Sequence, residues 1–172
     1  EENNGGRTNS VRNYNYSNNL LSSSSGIAIT NNISNTTNST YTYNSDGSMT
    51  VMSTQIYTSS GNTQTTNGKT INYFSQGNLV RAEYYSISNG ITTLTESVTF
   101  TYDTNYSPYK NITGFYALGN HINNLKSEIH KNASNVITRT VQITYQYNSE
   151  NYPISSTGVI TNYTINSQTG VS

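Results

Sequence analysis

The stretch Val98-Thr99-Phe100-Thr101-Tyr102-Asp103 alternates apolar or aromatic side chains with threonine. A period of two is typical of a β-strand with one half-buried face, and the closing aspartate is a turn former. The same alternation recurs in Val141-Gln142-Ile143-Thr144-Tyr145-Gln146-Tyr147-Asn148 and in Thr40-Tyr41-Thr42-Tyr43-Asn44. These stretches predict β-strands in which Tyr102 and Tyr147 are more buried than Thr101 and Gln146.

Turn signals separate the predicted strands at intervals of roughly ten residues. They contain Gly or Asn, which readily adopt the positive φ of tight hairpins. The signals are Ser45-Asp46-Gly47, Ser60-Gly61-Asn62, Asn67-Gly68, Gln76-Gly77-Asn78, Asn89-Gly90 and Asn148-Ser149-Glu150-Asn151. The predicted strands cover residues 11–16, 26–31, 40–44, 48–58, 63–74, 78–87, 91–103, 124–131, 136–147, 152–157 and 159–165. The sequence therefore predicts an all-β fold: an antiparallel meander of repeated hairpins that forms an extended twisted sheet or an elongated sandwich, with little or no helix.

Two segments depart from simple alternation. Residues 107–120 contain Pro108, Gly114 and Gly119, and they predict a long structured loop. Residues 121–131 are compatible with a short helix, but Leu125, Ser127 and Ile129 alternate with charged or polar residues. That alternation favours a strand over the helix.

The composition indicates an ordered protein with a thin core. Hydrophobic residues make up 31% and charged residues 9%, the formal net charge is zero, and 16 of the residues are Tyr. Disorder requires high net charge and few aromatic or β-branched residues, which this chain does not have. We expect Tyr rings to close part of the core, with most of them packed between strands and a few exposed.

Charge and cysteine content limit the partners and the chemistry. The eight basic residues are scattered, which argues against nucleic acid and anionic lipid as partners. The absence of Cys excludes disulfides and thiol chemistry. No apolar run predicts a membrane-spanning segment, and no signal peptide is recognised. The start at Glu1 without Met is compatible with a processed, secreted protein.

A recurring unit divides the chain into two predicted regions. A Tyr-x-Tyr or similar pair followed by a turn places Tyr43, Tyr73, Tyr102 and Tyr147 at intervals of 30, 29 and 45 residues. Such hairpins cannot bury a face alone, so we expect them to combine into one sheet. The predicted β domain covers residues 40–172. Residues 1–39 form a polar segment that is flexible, pairs within its own chain, or is exchanged between copies.

Tyr-Asn or Tyr-Asp at a hairpin turn, followed by Gly and Asn, resembles the tyrosine–aspartate repeats of Rhs-like proteins. The resemblance is closer to the small surface lipoproteins of flavobacteria and their relatives. It is carried by the block from Phe100 to Ile112, followed by Asn123-Asn124-Leu125 and Tyr145–Pro153. The resemblance covers about residues 40–160. It implies export to the cell surface without catalytic residues, often with a lipid on an N-terminal Cys that this sequence lacks.

Three groups of residues are candidates for a metal, calcium or catalytic site. His121, Glu128 and His130 could contribute to a metal site, but they show no four-ligand pattern. The run Asp103–Ser107 resembles the start of a calcium loop without its glycine and closing Glu, and an Asx-turn explains it more simply. The acids are dispersed and no triad or nucleophile motif occurs: they are Glu1, Glu2, Asp46, Glu83, Glu96, Asp103, Glu128 and Glu150. We therefore predict no enzyme activity, no catalytic residue, no metal site and no cofactor.

The sequence favours a secreted or cell-surface structural or interaction protein, at the outside or outer membrane of a bacterium. Its partner would be a second copy, bound through strand edges, or another surface protein. An accessory surface lipoprotein of an outer-membrane complex and a carbohydrate-binding module, with a glycan as partner, remain alternatives.

Overall fold

A computed structural model describes residues 9–30, 33–108 and 122–164, of which strands make up 81% and helices none. The ten strands are β1 (Asn9–Ser17), β2 (Leu20–Thr30), β3 (Ile33–Tyr43), β4 (Met49–Ser59), β5 (Asn62–Ser75), β6 (Asn78–Ser88), β7 (Ile91–Tyr106), β8 (Asn123–Asn132), β9 (Ile137–Tyr147) and β10 (Pro153–Asn162). They form one open antiparallel sheet in sequence order. The predicted all-β meander is confirmed, as a single sheet rather than a sandwich.

Four of the hairpins have two-residue turns. Both central residues have positive φ at Asn18-Asn19, Ser60-Gly61, Gln76-Gly77 and Asn89-Gly90. This conformation matches the right-handed twist of the flanking strands, which is why Asn and Gly occupy these positions. Three of these turns were predicted, whereas Asn18-Asn19 was not.

Three longer turns share one hydrogen-bonding scheme, at residues 44–48, 132–136 and 148–152. In each, the first residue donates its N–H to the carbonyl of the fifth, and the fourth donates to the carbonyl of the first, at 2.8–3.1 Å. The fourth residue has positive φ in all three: Gly47, Asn135 and Asn151. The first and last of these turns follow the repeat anchors Tyr43 and Tyr147. The middle turn lacks the Tyr anchor and was not recognised.

The structure corrects three local predictions. Asn67-Gly68 is not a turn but lies within β5, where a side chain on Gly68 would begin 3.3 Å from the Ser53 hydroxyl oxygen. Gly158 does not separate two strands, because β10 continues through it. The polar residues 33–39 are in β3, paired on both sides, although only residues 40–44 were predicted there.

Residues 123–132 form β8, so the strand was the right choice over the helix. Within residues 9–43, strands β1 to β3 pair with one another along their own chain, with one register shift in the β1–β2 pair at Asn15/Tyr16. Most of the predicted loop at 107–120 lies outside the described residues.

Contacts divide the chain into two compact units. The first comprises residues 1–72 and 84–93, and its buried apolar side chains among the described residues are Leu21 and Met49. The second comprises residues 73–83 and 94–172, with Ala82, Val98 and Val141 buried. Because so few apolar side chains are buried, stability depends more on cross-strand side-chain pairs and on polar contacts.

The predicted faces of β7 and β9 are confirmed. Tyr102 and Tyr147 are half-buried, whereas Thr101 and Gln146 are exposed. The expectation that only a few tyrosines are exposed is wrong, because a one-sheet fold leaves many of them without a covering layer. Among the residues that the structure describes, the exposed tyrosines are Tyr14, Tyr16, Tyr43, Tyr57, Tyr84, Tyr106, Tyr152 and Tyr163.

Candidate functional site

Asp103 lies at the centre of a polar cluster near the end of β7. Its Oδ1 accepts hydrogen bonds from the backbone N–H groups of Asn105 (3.0 Å) and Asn124 (3.1 Å), and its Oδ2 accepts one from the Tyr147 hydroxyl. The bond to Asn105 is the Asx-turn expected from the sequence. N–H and O–H donors thus reach both carboxylate oxygens, and this junction joins the end of β7 to β8 and β9.

Two buried asparagines extend this junction. Asn124 is 4% exposed, and its amide nitrogen reaches the carbonyl oxygens of Asn105 (3.4 Å) and Tyr106 (3.3 Å). Asn78 is 6% exposed and is hydrogen-bonded to Asn123. Buried polar groups are costly unless they are hydrogen-bonded. Asn124 meets this need through Asp103 and backbone carbonyls, and Asn78 through Asn123.

Burial raises the pKa of the tyrosines around this junction. The pKa of Tyr102 is raised most, first by burial and then by the negative charge of Glu128. The pKa of Tyr147 is raised by burial and by its hydrogen bond to Asp103. Both phenols are therefore held neutral as donors, with Tyr102 donating to the Leu79 carbonyl at 2.7 Å.

His130 lies between two carboxylates on the face that also carries Val98. Its Nδ1 is 2.7 Å from Glu96 Oε1 and its Nε2 is 3.0 Å from Glu128 Oε2. Arg139 pairs with His130 across the β8–β9 ladder, and its buried Nε has no partner within the described residues.

Two of the remaining acids accept hydrogen bonds from neighbouring side chains or backbone. Asp46 accepts from the N–H and hydroxyl of Ser48, which lower its pKa, and Glu83 accepts from the Tyr73 hydroxyl at 3.0 Å. Within the described residues, no three His, Asp or Glu side chains are placed to hold a metal ion. Glu1, Glu2 and His121 lie outside those residues. Sequence reasoning missed Glu96 as a partner of His130, because the two are 34 residues apart.

A shallow trough of about 460 Å³ crosses one face of the first unit. Two cross-strand rows of short side chains border it. The first row is Asn15, Ser23, Thr40 and Met52, and the second is Ser25, Asn38, Thr54 and Asn67. The runs of small polar residues at 22–25 and 31–40 are the corresponding sequence feature, but as low-complexity stretches they do not by themselves predict a binding face.

The outermost strands offer a different kind of site, namely backbone N–H and C=O groups that no strand among the described residues pairs with. Within the described residues, β1 pairs only with β2 and β10 pairs only with β9. Every residue of β1 is exposed, and so is every residue of β10 after Pro153. Unpaired strand edges can hydrogen-bond to a further strand.

These features define the chain as an open β-sheet protein whose first and last strands each have one neighbour among the described residues. No known family model, curated protein or solved structure matches it. The described residues contain no helix long and apolar enough to cross a membrane.

Proposed function

We propose that this chain is a non-enzymatic structural or interaction protein of a bacterial surface or the extracellular space, and that it self-associates by β-strand addition. The observation that carries the proposal is β10, a ten-residue strand with no ionisable side chain and one neighbour among the described residues. Edge strands are normally blocked by charges, prolines or bulges. In β10 such features are confined to its start, at Pro153 and at the register shift between Pro153 and Ser155. The surface location rests on the resemblance to tyrosine–aspartate repeat lipoproteins.

The complementary edge is β1, whose one charged residue is Arg12. Addition of β10 from one copy to β1 of the next in antiparallel orientation would repeat the pairing found between neighbouring strands of the sheet. Such a contact uses two different surfaces, so it can continue from copy to copy. The expected assembly is a filament unless the rotation between copies closes a ring.

The ladder shows which backbone groups of β10 face the open edge. The Tyr163 N–H donates to the Thr138 carbonyl at 2.8 Å, on the β9 side. N–H groups alternate between the two sides of an antiparallel strand, and the register is regular from Ser155 to Asn162. Even-numbered residues, including Gly158, therefore direct their N–H groups away from β9.

Gly158 allows a matched test. Gly158→Pro removes an outward N–H without removing a bond to β9, and proline is tolerated at such edge positions. Gly158→Ala keeps the N–H, and its added Cβ would meet only the Gln142 carbonyl oxygen at 3.9 Å. In sedimentation velocity over a concentration series, we expect the parent protein and Gly158→Ala to associate and Gly158→Pro to stay monomeric.

Circular dichroism checks that both variants keep the sheet. A parent protein that stays monomeric at every concentration would refute self-association and would favour an accessory subunit of a larger surface complex. Equal association of the proline and alanine variants would show that β10 is not the joint.

A further inference from the structure

The trough on the first unit runs across the strands rather than along them. Its first row joins Asn15 to Ser23, Ser23 to Thr40 and Thr40 to Met52, each a directly opposed cross-strand pair. Neighbouring strands lie about 4.8 Å apart, so a row over β1 to β4 extends roughly 14 Å. An elongated ligand that crosses the strands would therefore meet a new side chain at each strand.

Hydrogen-bonding groups in the trough are left unused. Within the described part of the chain, the side chains of Ser25, Asn38 and Thr40 make no hydrogen bond. By contrast, Asn15 donates to Ser23 Oγ at 3.0 Å, and Thr54 donates to Asn67 Oδ1 at 2.8 Å. The paired side chains hold the two ends of the trough in place, while the centre presents free donors and acceptors.

The chemistry of the lining is neutral. No ionisable side chain lines the trough. The nearest charge along the first row is Lys69, opposite Met52, and its Nζ lies over the Tyr85 ring, 5.4 Å from the centroid. Met52, which is 41% exposed, and Ile87 add apolar surface.

We propose that this trough binds an uncharged carbohydrate chain. Sugar rings carry hydroxyl groups that both donate and accept, matching the amide and hydroxyl groups of Asn38 and Thr40. Their C–H faces match the apolar surface of Met52 and Ile87. A peptide is less suited to the site, because peptides dock on sheets mainly through backbone pairing at edges, and the trough lies on a face. The inference does not depend on self-association.

Binding can be measured by isothermal titration with the full chain and soluble cello-, malto- and chito-oligosaccharides. The test variant is Asn38→Ala/Thr40→Val, which removes the two exposed polar groups at the centre. The control is Asn62→Ala/Thr42→Val, which makes the same changes at exposed positions outside the trough. We expect at least one oligosaccharide series to bind, with affinity about tenfold lower in the test variant, consistent with losing one or two hydrogen bonds.

Three results would overturn the proposal: no binding of any of these sugars by the parent protein, equal loss in both variants, or binding only to an anionic polysaccharide such as alginate. A peptide with the sequence of residues 9–17 serves as a competitor of different chemistry. If it binds at Asn38 and Thr40 while the sugars do not, the trough is a site for a second copy of the chain instead.

Discussion

Asn78 at the start of β6 and Asn123 at the start of β8 exchange two hydrogen bonds. The Asn78 amide nitrogen donates to Asn123 Oδ1 at 2.9 Å, and the Asn123 backbone N–H donates to Asn78 Oδ1 at 3.1 Å. The Asn123 amide nitrogen also donates to the Asn105 carbonyl oxygen at 3.1 Å, so strands that are not neighbours in the sheet are joined at their ends. Hydrogen bonds from side-chain amides thus stabilise the second unit in addition to the backbone hydrogen bonds between its strands.

Replacement of Asn78 by Ala should destabilise the protein by about 2 kcal/mol, because it leaves two donors or acceptors of Asn123 without partners in a poorly solvated place. Urea denaturation followed by circular dichroism measures the change. Asn62→Ala, at an exposed position, is the control and should change the free energy of unfolding by less than about 0.5 kcal/mol. Equal effects of the two substitutions would show that the Asn78–Asn123 pair contributes nothing.

Truncation of Tyr102 to Ala should cost on the order of 3 kcal/mol, because it removes a partly buried ring from the face of β7 that also carries Val98 and Phe100. Tyr102→Phe should cost about 1 kcal/mol, the usual value for one hydrogen bond, here that to the Leu79 carbonyl. Thr101→Ala, on the opposite exposed face, should cost less than either one. Urea denaturation ranks the three variants by their loss of unfolding free energy. A loss near zero for Tyr102→Ala would contradict the assignment of the two faces of β7.

Alkaline pH should destabilise the protein. The pKa values of Tyr102, Tyr145 and Tyr147 are raised above 10.0 in the folded state, in each case mainly by burial. The folded protein therefore holds these protons more tightly than the unfolded chain, so the stabilisation is complete below pH 10 and is lost as the pH rises above it. Urea midpoints measured at intervals from pH 8 upward should decline above pH 10, and Tyr102→Phe should reduce the decline. If the urea midpoint of Tyr102→Phe declines above pH 10 as steeply as that of the parent protein, Tyr102 does not contribute to this pH dependence.

The strands with strong side-chain alternation could be predicted from sequence. Val98, Phe100 and Tyr102 occupy one face of β7 because successive side chains point to opposite faces. The weakly patterned strands could not be predicted in this way. Residues 33–39 of β3 are mostly Ser, Thr and Asn on both faces, so only pairing with β2 and β4 makes them a strand. Gly158 was taken for a boundary, although a glycine in an edge strand needs no partner side chain.

The polar sites depend on contacts that are distant in sequence. The Asx-turn at Asp103 is local and was predicted, but its bond to Tyr147 joins residues 44 positions apart. The two carboxylates around His130 come from different strands, and only the β7–β8 register brings Glu96 to it. A single sequence carries no signal for such pairs, because many Tyr, Asn and Glu residues could have been the partners.

Double-mutant cycles should rank the two carboxylate partners of His130. The coupling free energy between His130 and Glu128 should exceed that between His130 and Glu96. The Glu128 side chain is 23% exposed and the Glu96 side chain 41%, and water screens the more exposed pair more strongly. For the Glu96 cycle, His130→Gln with Glu96→Gln, we expect less than about 1 kcal/mol. Unfolding free energies at pH 6 provide the values, and a larger coupling to Glu96 would contradict the ranking.

The backbone N–H groups of β1 that face its open edge can be identified in the same way as those of β10. The two-residue turn Asn18-Asn19 makes Ser17 and Leu20 a hydrogen-bonded pair. The register shift at Asn15/Tyr16 places its extra residue, Ser22, in β2. Alternation along β1 therefore directs the N–H groups of its even-numbered residues, including Tyr14, away from β2. Tyr14→Pro should therefore block the β1 edge and leave β10 available, with Tyr14→Ala as the control that keeps the N–H.

The two edge variants should complement each other if β10 of one copy pairs with β1 of the next. Tyr14→Pro retains a usable β10 and Gly158→Pro retains a usable β1, so each alone should stay monomeric. An equimolar mixture should form a dimer containing one of each and nothing larger, since the joint consumes the only open edge of both partners. Native mass spectrometry separates the two chains by mass and identifies the pair. If Tyr14→Pro dimerises alone, the joint is a symmetric β10–β10 contact, and the assembly would stop at two copies instead of growing into a filament.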